Sequence, residues 1–394
     1  MINPMEDGLV APNEAKGRWA KAAWDIGVNV AGPASNDVDE KARFPIESCD
    51  ALRDGGFLSA LLPLSLGGGG ASLFEIVGAI RALAFHCAAS ALVLAMHSTE
   101  IVNLTRHGNS DGLRALAAEI SEGQLLVANA NSEVGLGGDL SRSACGLDTS
   151  SEPWTLDKQA LAVSYGENAD IIMTCARRSL TANGTDKVYV ALRSADISLH
   201  PRSDWDTLGL RGTCSRGYAI HASIDESLIF PVPYSTIIND GGGQASQLLL
   251  SAVWVGIAEA AASRAHSYVR SLARKSVGTV PTQAVRLAKL VAEVEEVRSL
   301  LASHSYEYED CVKKGNLQSP RLSMGLRNLK VTSSETAVRV STGALVVCGI
   351  NGYQRNSPYS LDRLVRDAHG GLVMVSNDRY LNDNAQLLLV RKNI

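Results

Sequence analysis

Aromatic side chains are scarce, 5% of the 394 residues, and none of the seven cysteines stands in a C-x-x-C pair. An odd number of cysteines (Cys49, Cys87, Cys145, Cys175, Cys214, Cys311, Cys348) at irregular spacing argues against a disulfide framework and a zinc site, and leaves most of them as small buried hydrophobes. Concentrated positive charge is also missing. Basic neighbours such as Arg177-Arg178 come only in pairs, and the net charge is −4 with a pI near 6.1. That excludes the electrostatic footprint of a nucleic-acid or anionic-membrane binder. The N-terminal MINPMEDGLVAPNEAKGRW has no apolar run behind a basic start, so it does not read as a signal peptide. The most apolar stretch, Leu248 to Ala262, falls short of a membrane span and contains Glu259. His86, His97, His107 and His221 show no metal-ligand spacing and read as structural, so no metal is expected. The default compartment is the reducing cytoplasm.

What is present is a chain 45% hydrophobic and 20% charged, long enough for two or three packed units. Ser72 to Gly108 carries nearly continuous helical periodicity, with Ser72 as its N-cap behind the glycine-rich turn PLSLGGGGAS. From about Leu125 the texture changes. LLVANANSE, WTLDKQALAVSYG, DIIMTCAR, KVYVALRSA and GYAIHASIDESLIFPVP are short alternating or β-branched runs separated by Gly, Asn, Asp and Ser, the pattern of strands and turns. After DGGGQAS helices resume, and Leu287, Val291, Val294, Val297 and Leu301 form one stripe of a long helix. The order is helices, a small β unit, then a helical bundle.

Three glycine-bearing segments invite a ligand, and each has a plain structural alternative. SEVGLGGD follows a strand; its glycines admit close backbone approach, or it is an ordinary turn. With no Lys behind it and no evident helix, it is neither a P-loop nor a dinucleotide fingerprint. RKSVG could hold a phosphate, or complement a helix C-terminal dipole. CGINGYQRNSPYSLDRLVRDA, Cys348 to Ala368, joins two helices and puts three arginines within reach of a pocket, or is a surface loop with Arg366-Asp367 as an ion pair. Beyond it, RLVRDAHGGLVMVSNDRYL reads as a loop at an active-site rim, with nothing acidic between Asp367 and Asp378.

The order of these pieces resembles the acyl-CoA dehydrogenase superfamily from about Leu52 to Leu389. LLPLSLGGGGASLFEIV resembles the Pro-x-x-x-Gly-Gly entry, SEVGLGGD resembles Thr-Glu-Pro-Gly-x-Gly-Ser-Asp, and LGLRGTCSRGYAIHASIDESLIFP resembles the strand pair closing the β domain. RKSVG followed by Gln283 resembles Arg-x-x-Phe-Gly, and CGINGY with LDRLVRDA resembles Gly-Gly-x-Gly-Tyr with Arg-x-x-Arg-Asp-Ala. The resemblance implies an α+β fold. It would have an N-terminal helical domain (1–124), a central small β-barrel or sandwich domain (125–235) and a C-terminal four-helix bundle (236–394). It also implies FAD bound between the β domain and the bundle and across a subunit interface, hence a homodimer or homotetramer. A small-molecule substrate follows, an acyl-CoA or acyl-carrier thioester, with an electron-transfer or reductase partner.

Carried over by residue, the resemblance sets Asn131 and Ser132 beside the flavin ring and Gly137 and Gly138 at the pyrophosphate. Ser164 takes the place of a ring-contacting Thr, and Ala162 that of a Trp that packs on the ring. Arg274 and Ser276 would reach a neighbour's phosphates and Gly349 the adenine, while Ile350 and Val346 replace a glycine and a glutamine. Asn377 and Arg379 would shape the pocket. Family dehydrogenases take the substrate α-proton with a Glu shortly after Arg-Asp-Ala, because a thioester-acidified proton needs a desolvated carboxylate beside it. That place is Val375 here. The alternative place on the first bundle helix is Ser246, and only a small alignment slip would bring in Asp378. Flavin monooxygenases share the fold, some with a His in this loop; Met374 stands near that place and His369 lies early. The catalytic base is therefore unassigned. The resemblance implies a flavin oxidoreductase on an acyl thioester with non-standard, O2-using chemistry, or else a monooxygenase on a non-thioester substrate, or a non-catalytic subunit.

Overall fold

The computed structural model describes residues 17–136, 141–275 and 278–390. The N-terminal helices are α1 (Arg18–Ile26), α2 (Gly32–Glu40), α3 (Ile46–Asp54), α4 (Leu73–His86), α5 (Ala88–His107) and α6 (Asp111–Gly123). Ser72 caps α4 in a full capping box with Glu75, as its sequence predicts. The helical periodicity from Ser72 to Gly108 is split into two helices, because Cys87 turns extended (φ −147°, ψ 106°). No Gly or Pro dictates that break; tertiary packing does. The freed His86 carbonyl accepts from Arg363 Nη2 at 3.1 Å, and the His86 ring meets Trp24 edge-on at 4.6 Å.

The strands are β1 (Val127–Asn129), β2 (Leu147–Asp148), β3 (Trp154–Val163), β4 (Ile171–Arg177), β5 (Lys187–Arg193), β6 (Ile197–Pro201) and β7 (Arg216–Ile224). They form two sheets, ordered β1-β4-β5 and β2-β3-β7-β6, with only β1 and β4 parallel. β4 and β5 are buried on both faces and therefore read as near-continuous apolar runs. One face meets α5 and α6 through Ile101, Leu104, Leu116 and Ile120; the other meets the second sheet through Val188, Val190 and Leu156. Two strands escaped the sequence reading, β2 and β6. Both are sheet edges; β2 has two residues, and the alternation of β6 covers only Ile197 to His200 before Pro201, too short to stand out.

Helices then return: α7 (Tyr234–Ile237), α8 (Gly243–Lys275), α9 (Ala284–Lys314), α10 (Pro320–Cys348), α11 (Ile350–Tyr353), α12 (Asp362–Val373) and α13 (Asn377–Val390). The apolar stretch expected to fall short of a membrane span belongs to a helix that is long enough by length and composition. It is nevertheless 94% buried over that window, running through the main core between α4, α9 and α10. Its Glu259 meets Arg81 at 3.5 Å. All seven cysteines are free, five of them buried.

The supposed rim loop 363–381 is two helices joined by a three-residue turn. Gly370 and Gly371 suggested a loop, but both are needed for close packing inside α12. A Cβ on Gly370 would lie 2.4 Å from Leu210 Cδ1, and one on Gly371 2.9 Å from Ser334 Cβ. The Arg366-Asp367 ion pair does not form either. Arg366 binds Asp39 at 2.9 Å and Asp362 at 2.8 Å, while Asp367 turns the other way and accepts the Leu210 N–H at 2.7 Å.

Candidate active site

Past β1, the segment Ala130 to Glu133 is tied to the first sheet and to β3 by its own polar groups. Asn131 Oδ1 accepts the Cys175 N–H at 3.2 Å, and its Nδ2 donates to Tyr189 Oη at 3.3 Å. Tyr189 in turn donates to the buried Glu100 carboxylate at 2.6 Å, which also accepts from Asn103 and Asn129. Burial pushes the Glu100 carboxyl up despite these three donors. Ser132 Oγ donates to the Ala162 carbonyl at 3.1 Å and accepts the Ala162 N–H at 3.2 Å. Glu133 meets the fully buried Lys158 at 3.0 Å. Burial alone would raise Glu133, but Lys158, Ser143 and the Ala144 N–H hold it below the usual range.

At the end of β3, Ser164 Oγ lies 2.7 Å from Ser215 Oγ, which lies 2.8 Å from Thr213 Oγ1. Thr213 donates onward to the Leu210 carbonyl at 2.9 Å. Since the Leu210 N–H binds Asp367, the same segment joins the β region to α12. Burial pushes the Asp367 carboxyl up to about 6, with Arg363 and the Leu210 bond pulling the other way.

The bundle side centres on the turn Met374–Ser376. Val375 sits in the left-handed region at φ 49°, unusual for a β-branched residue. Behind it, fully buried Lys330 of α10 donates to the carbonyls of Gly371 (2.9 Å) and Val375 (2.6 Å) and to Asn377 Oδ1 (2.8 Å). None of the three acceptors is charged, and burial pulls the ammonium down to about 8. Asn377 Nδ2 donates to Ser334 at 3.1 Å, so its amide is turned inward to fix the turn. Tyr380 lies beside the Gln247 side chain, whose Oε1 is buried without a partner. The side chains packed behind this turn, Ser334, Gln247, Asn377 and Tyr380, are thus neutral, and the Lys330 ammonium meets two main-chain oxygens and one amide oxygen.

Residues 18–124 match the acyl-CoA dehydrogenase N-terminal domain, and residues 244–373 match the acyl-CoA dehydrogenase C-terminal domain. The chain belongs to the acyl-CoA dehydrogenase family. Within that family, cyclohex-1-ene-1-carbonyl-CoA dehydrogenase of Geobacter metallireducens is 26% identical over 361 residues, 87% of this chain and 90% of that one. The short-chain acyl-CoA dehydrogenase of Clostridium acetobutylicum is 22% identical over 86% and 88% of the two chains. Among solved structures, butyryl-CoA dehydrogenase from Megasphaera elsdenii superposes with a TM-score of 0.82 at 20% identity, covering 99% of both chains. The dibenzothiophene monooxygenase TdsC of a Paenibacillus species gives 0.80 at 16% identity, covering 94% and 97%. The acyl-CoA dehydrogenase fold thus stands, with helical ends around a central pair of sheets.

Several of the residues singled out by family resemblance converge. Asn131 and Ser132 share one segment, Ser132 is bonded to the β3 residue Ala162, and Ser164 directly follows that strand. The Arg379 guanidinium of α13 pulls down on the Tyr234 hydroxyl, which burial pushes up; the Tyr234 ring packs at a 40° tilt against Tyr189, 5.1 Å between centroids, and Tyr189 bonds Asn131. Arg274 and Gly349 lie elsewhere, at exposed ends of α8 and α10, with Gly349 at φ 57° and open space around it. Gly137, Gly138 and Ser276 lie outside the described residues. Ser246 is half-buried in the first turn of α8, Asp378 is exposed on α13, and His369 donates to the Val365 carbonyl at 2.7 Å. The three arginines near the Cys348 to Ala368 segment are committed elsewhere. Arg355 binds Asp362 at 3.1 Å, Arg366 binds Asp39 and Asp362, and Arg363 reaches the His86 carbonyl.

Sequence reasoning missed Lys330, Ser334, Gln247, Tyr380, Thr213 and Ser215. For Lys330 a signal existed. It occupies the buried face of α10 with Leu326, Ser333, Ser334 and Ala337, and a lysine at core phase on a helix requires an acceptor. His97 is structural, as expected. Its Nε2–H donates to the Leu58 carbonyl at 2.7 Å, its Nδ1 accepts the Val127 N–H at 3.0 Å, and burial pulls it down to about 4.

Proposed function

We propose that the protein is an FAD-dependent oxidoreductase acting on an acyl thioester, bound to CoA or a carrier protein, without a carboxylate base on the α12–α13 turn. The observation that carries this reading is Val375, an apolar residue at the centre of a turn that Lys330 and Asn377 hold in place. The residues fit a flavin. Ser164 has hydrogen-bonding capacity left beyond Ser215, and Ala162 puts no side-chain bulk beyond its Cβ in the way of a flat ring. When bound, FAD supplies two-electron chemistry that the side chains lack. Ser164 would orient the ring edge, Asn131 and Ser132 would present their backbone, and Arg379 would face the substrate side. Arg274, Ser276 and Gly349 would serve the cofactor of a neighbouring copy, which makes the active form a homo-oligomer. An electron-transfer or reductase partner would complete the cycle, in the cytoplasm.

A second reading, a monooxygenase on a non-thioester substrate, is favoured by the neutral set Gln247, Tyr380 and Asn377 around the turn. Anaerobic mixing with a panel of acyl-CoA thioesters separates the two by flavin absorbance. Bleaching supports thioester dehydrogenation, whereas oxygen-dependent product after chemical reduction, with no bleaching, supports oxygenation. A Val375→Glu variant is expected to raise the bleaching rate by about 100-fold, the lower range of general-base catalysis. A colourless protein that takes up no flavin removes both readings.

A further inference from the structure

We propose that Thr213, Ser215 and Ser164 form a hydroxyl chain whose hydrogen-bond direction reverses with the oxidation state of a flavin held against Ser164. The proposal rests on the flavin reading above. All three residues are nearly sealed from water, at 1%, 6% and 8% exposure, so the chain has few partners except itself. Its links are short, 2.8 Å from Thr213 to Ser215 and 2.7 Å from Ser215 to Ser164. Each hydroxyl has one proton to give and lone pairs to accept. Setting the direction of any one link therefore sets them all.

The inner end permits both directions. In one, Thr213 donates to the Leu210 carbonyl, Ser215 donates to Thr213, and Ser164 donates to Ser215. Ser164 then offers only lone pairs outward and suits a ligand N–H. In the other, Thr213 donates to Ser215, Ser215 to Ser164, and Ser164 donates outward to a ligand acceptor. That second arrangement withdraws the Thr213 proton from Leu210. The carbonyl is not stranded, because the Thr213 N–H (3.0 Å) and Trp205 Nε1–H (3.3 Å) still donate to it. An oxidised flavin presents an acceptor nitrogen on its reacting edge, and a reduced flavin presents an N–H there. Reversal needs only three O–H rotations; no bond breaks and no net proton is transferred.

The two directions respond unequally to removal of the inner hydroxyl. Without Thr213 Oγ1, the outward-donating chain survives from Ser215 onward. The outward-accepting chain leaves the Ser215 proton with no acceptor in a sealed site. Loss of that hydroxyl therefore disfavours the reduced flavin. Ser215 and Thr213 are positioning residues in this scheme, and only Ser164 touches the ring.

The test is the two-electron midpoint potential of the flavin bound to the full-length protein, measured by dye-coupled reductive titration. Thr213→Val is expected to lower the reduced-to-oxidised ratio about tenfold, a shift of about −30 mV. Thr213→Ser, which restores the hydroxyl, is expected to return the wild-type potential. Ser215→Ala breaks the chain in the middle and is expected to shift the potential the same way; it carries the test if Thr213→Val does not fold. Flavin bound at unchanged potential in whichever of these variants folds overturns the hydroxyl chain alone. A wild-type protein that takes up no flavin overturns the flavin reading itself.

Discussion

Lys158 in the β region and Lys330 in the bundle are both fully buried, yet only Lys158 faces a carboxylate. Burial lowers the affinity of each for its proton, but around Lys158 the neighbouring thiols and Glu133 outweigh it, and the ammonium titrates above the usual range. Lys330 has carbonyl and amide oxygens and the Tyr380 ring at 5.7 Å, but no carboxylate, and falls to about 8. Asp367 resembles Lys330 in being held by the main chain, through the Leu210 N–H, and it is raised to about 6. A counter-ion fixes a buried charge state across the working pH range. Main-chain partners fix the position and leave the charge responsive. The first device secures the segment after β1, and the second secures the helix and turn where chemistry is proposed.

The largest effect is expected from Glu133→Gln, which leaves the Lys158 ammonium buried without its counter-charge and should cost about 3–5 kcal/mol in urea unfolding. A double variant, Glu133→Leu with Lys158→Met, should recover most of that loss; if it does not, the pair is more than a neutralised charge. Lys330→Met should cost less, about 2–3 kcal/mol, because it strands carbonyl and amide oxygens rather than an ion. It should also speed amide exchange at residues 374–378, and equal costs at Lys158 and Lys330 would erase the contrast.

The third prediction is a pH dependence. The folded pKa of Lys330 lies below its unfolded value of about 10.4, so between about pH 8 and 10 the unfolded chain binds a proton that the folded chain does not. Wild-type stability should therefore rise relative to Lys330→Met across that window, by on the order of 1–3 kcal/mol. For Asp367 the folded pKa lies above the unfolded value of about 3.9, so the folded state holds the extra proton between about pH 4 and 6. Stability should fall as pH rises through that window, by on the order of 1–2 kcal/mol. Asp367→Asn should flatten the slope while keeping the bond from Leu210. A slope unchanged by the substitution would remove Asp367 from the comparison.

The fold was legible because its signals are local and repeated: the Ser72 cap, the Leu287 to Leu301 stripe, and the doubly buried runs of β4 and β5. Family motifs then ordered them. The turn at Val375 was not legible as a turn between helices, because two glycines there read as breakers. Their reason, the approach of Leu210 and Ser334, lies far away in sequence. Of the candidate site, Asn131, Ser132 and Ser164 were named from sequence and lie around β3, but the hydrogen bonds behind them were not legible. Hydroxyls such as Thr213 and Ser215 are common residues, and only their placement at the end of β3 distinguishes them.

Lys330 grips the oxygens of Gly371 and Val375, not their side chains. Those oxygens are present whatever residue occupies position 375. The anchoring of the turn is thus indifferent to what the turn displays, and natural selection could exchange the displayed group without rebuilding its support. A residue there that tolerates the left-handed backbone better than valine, such as asparagine, would relieve about 1 kcal/mol. Position 375 is therefore the natural first site to randomise in a search for new reactivity on this scaffold.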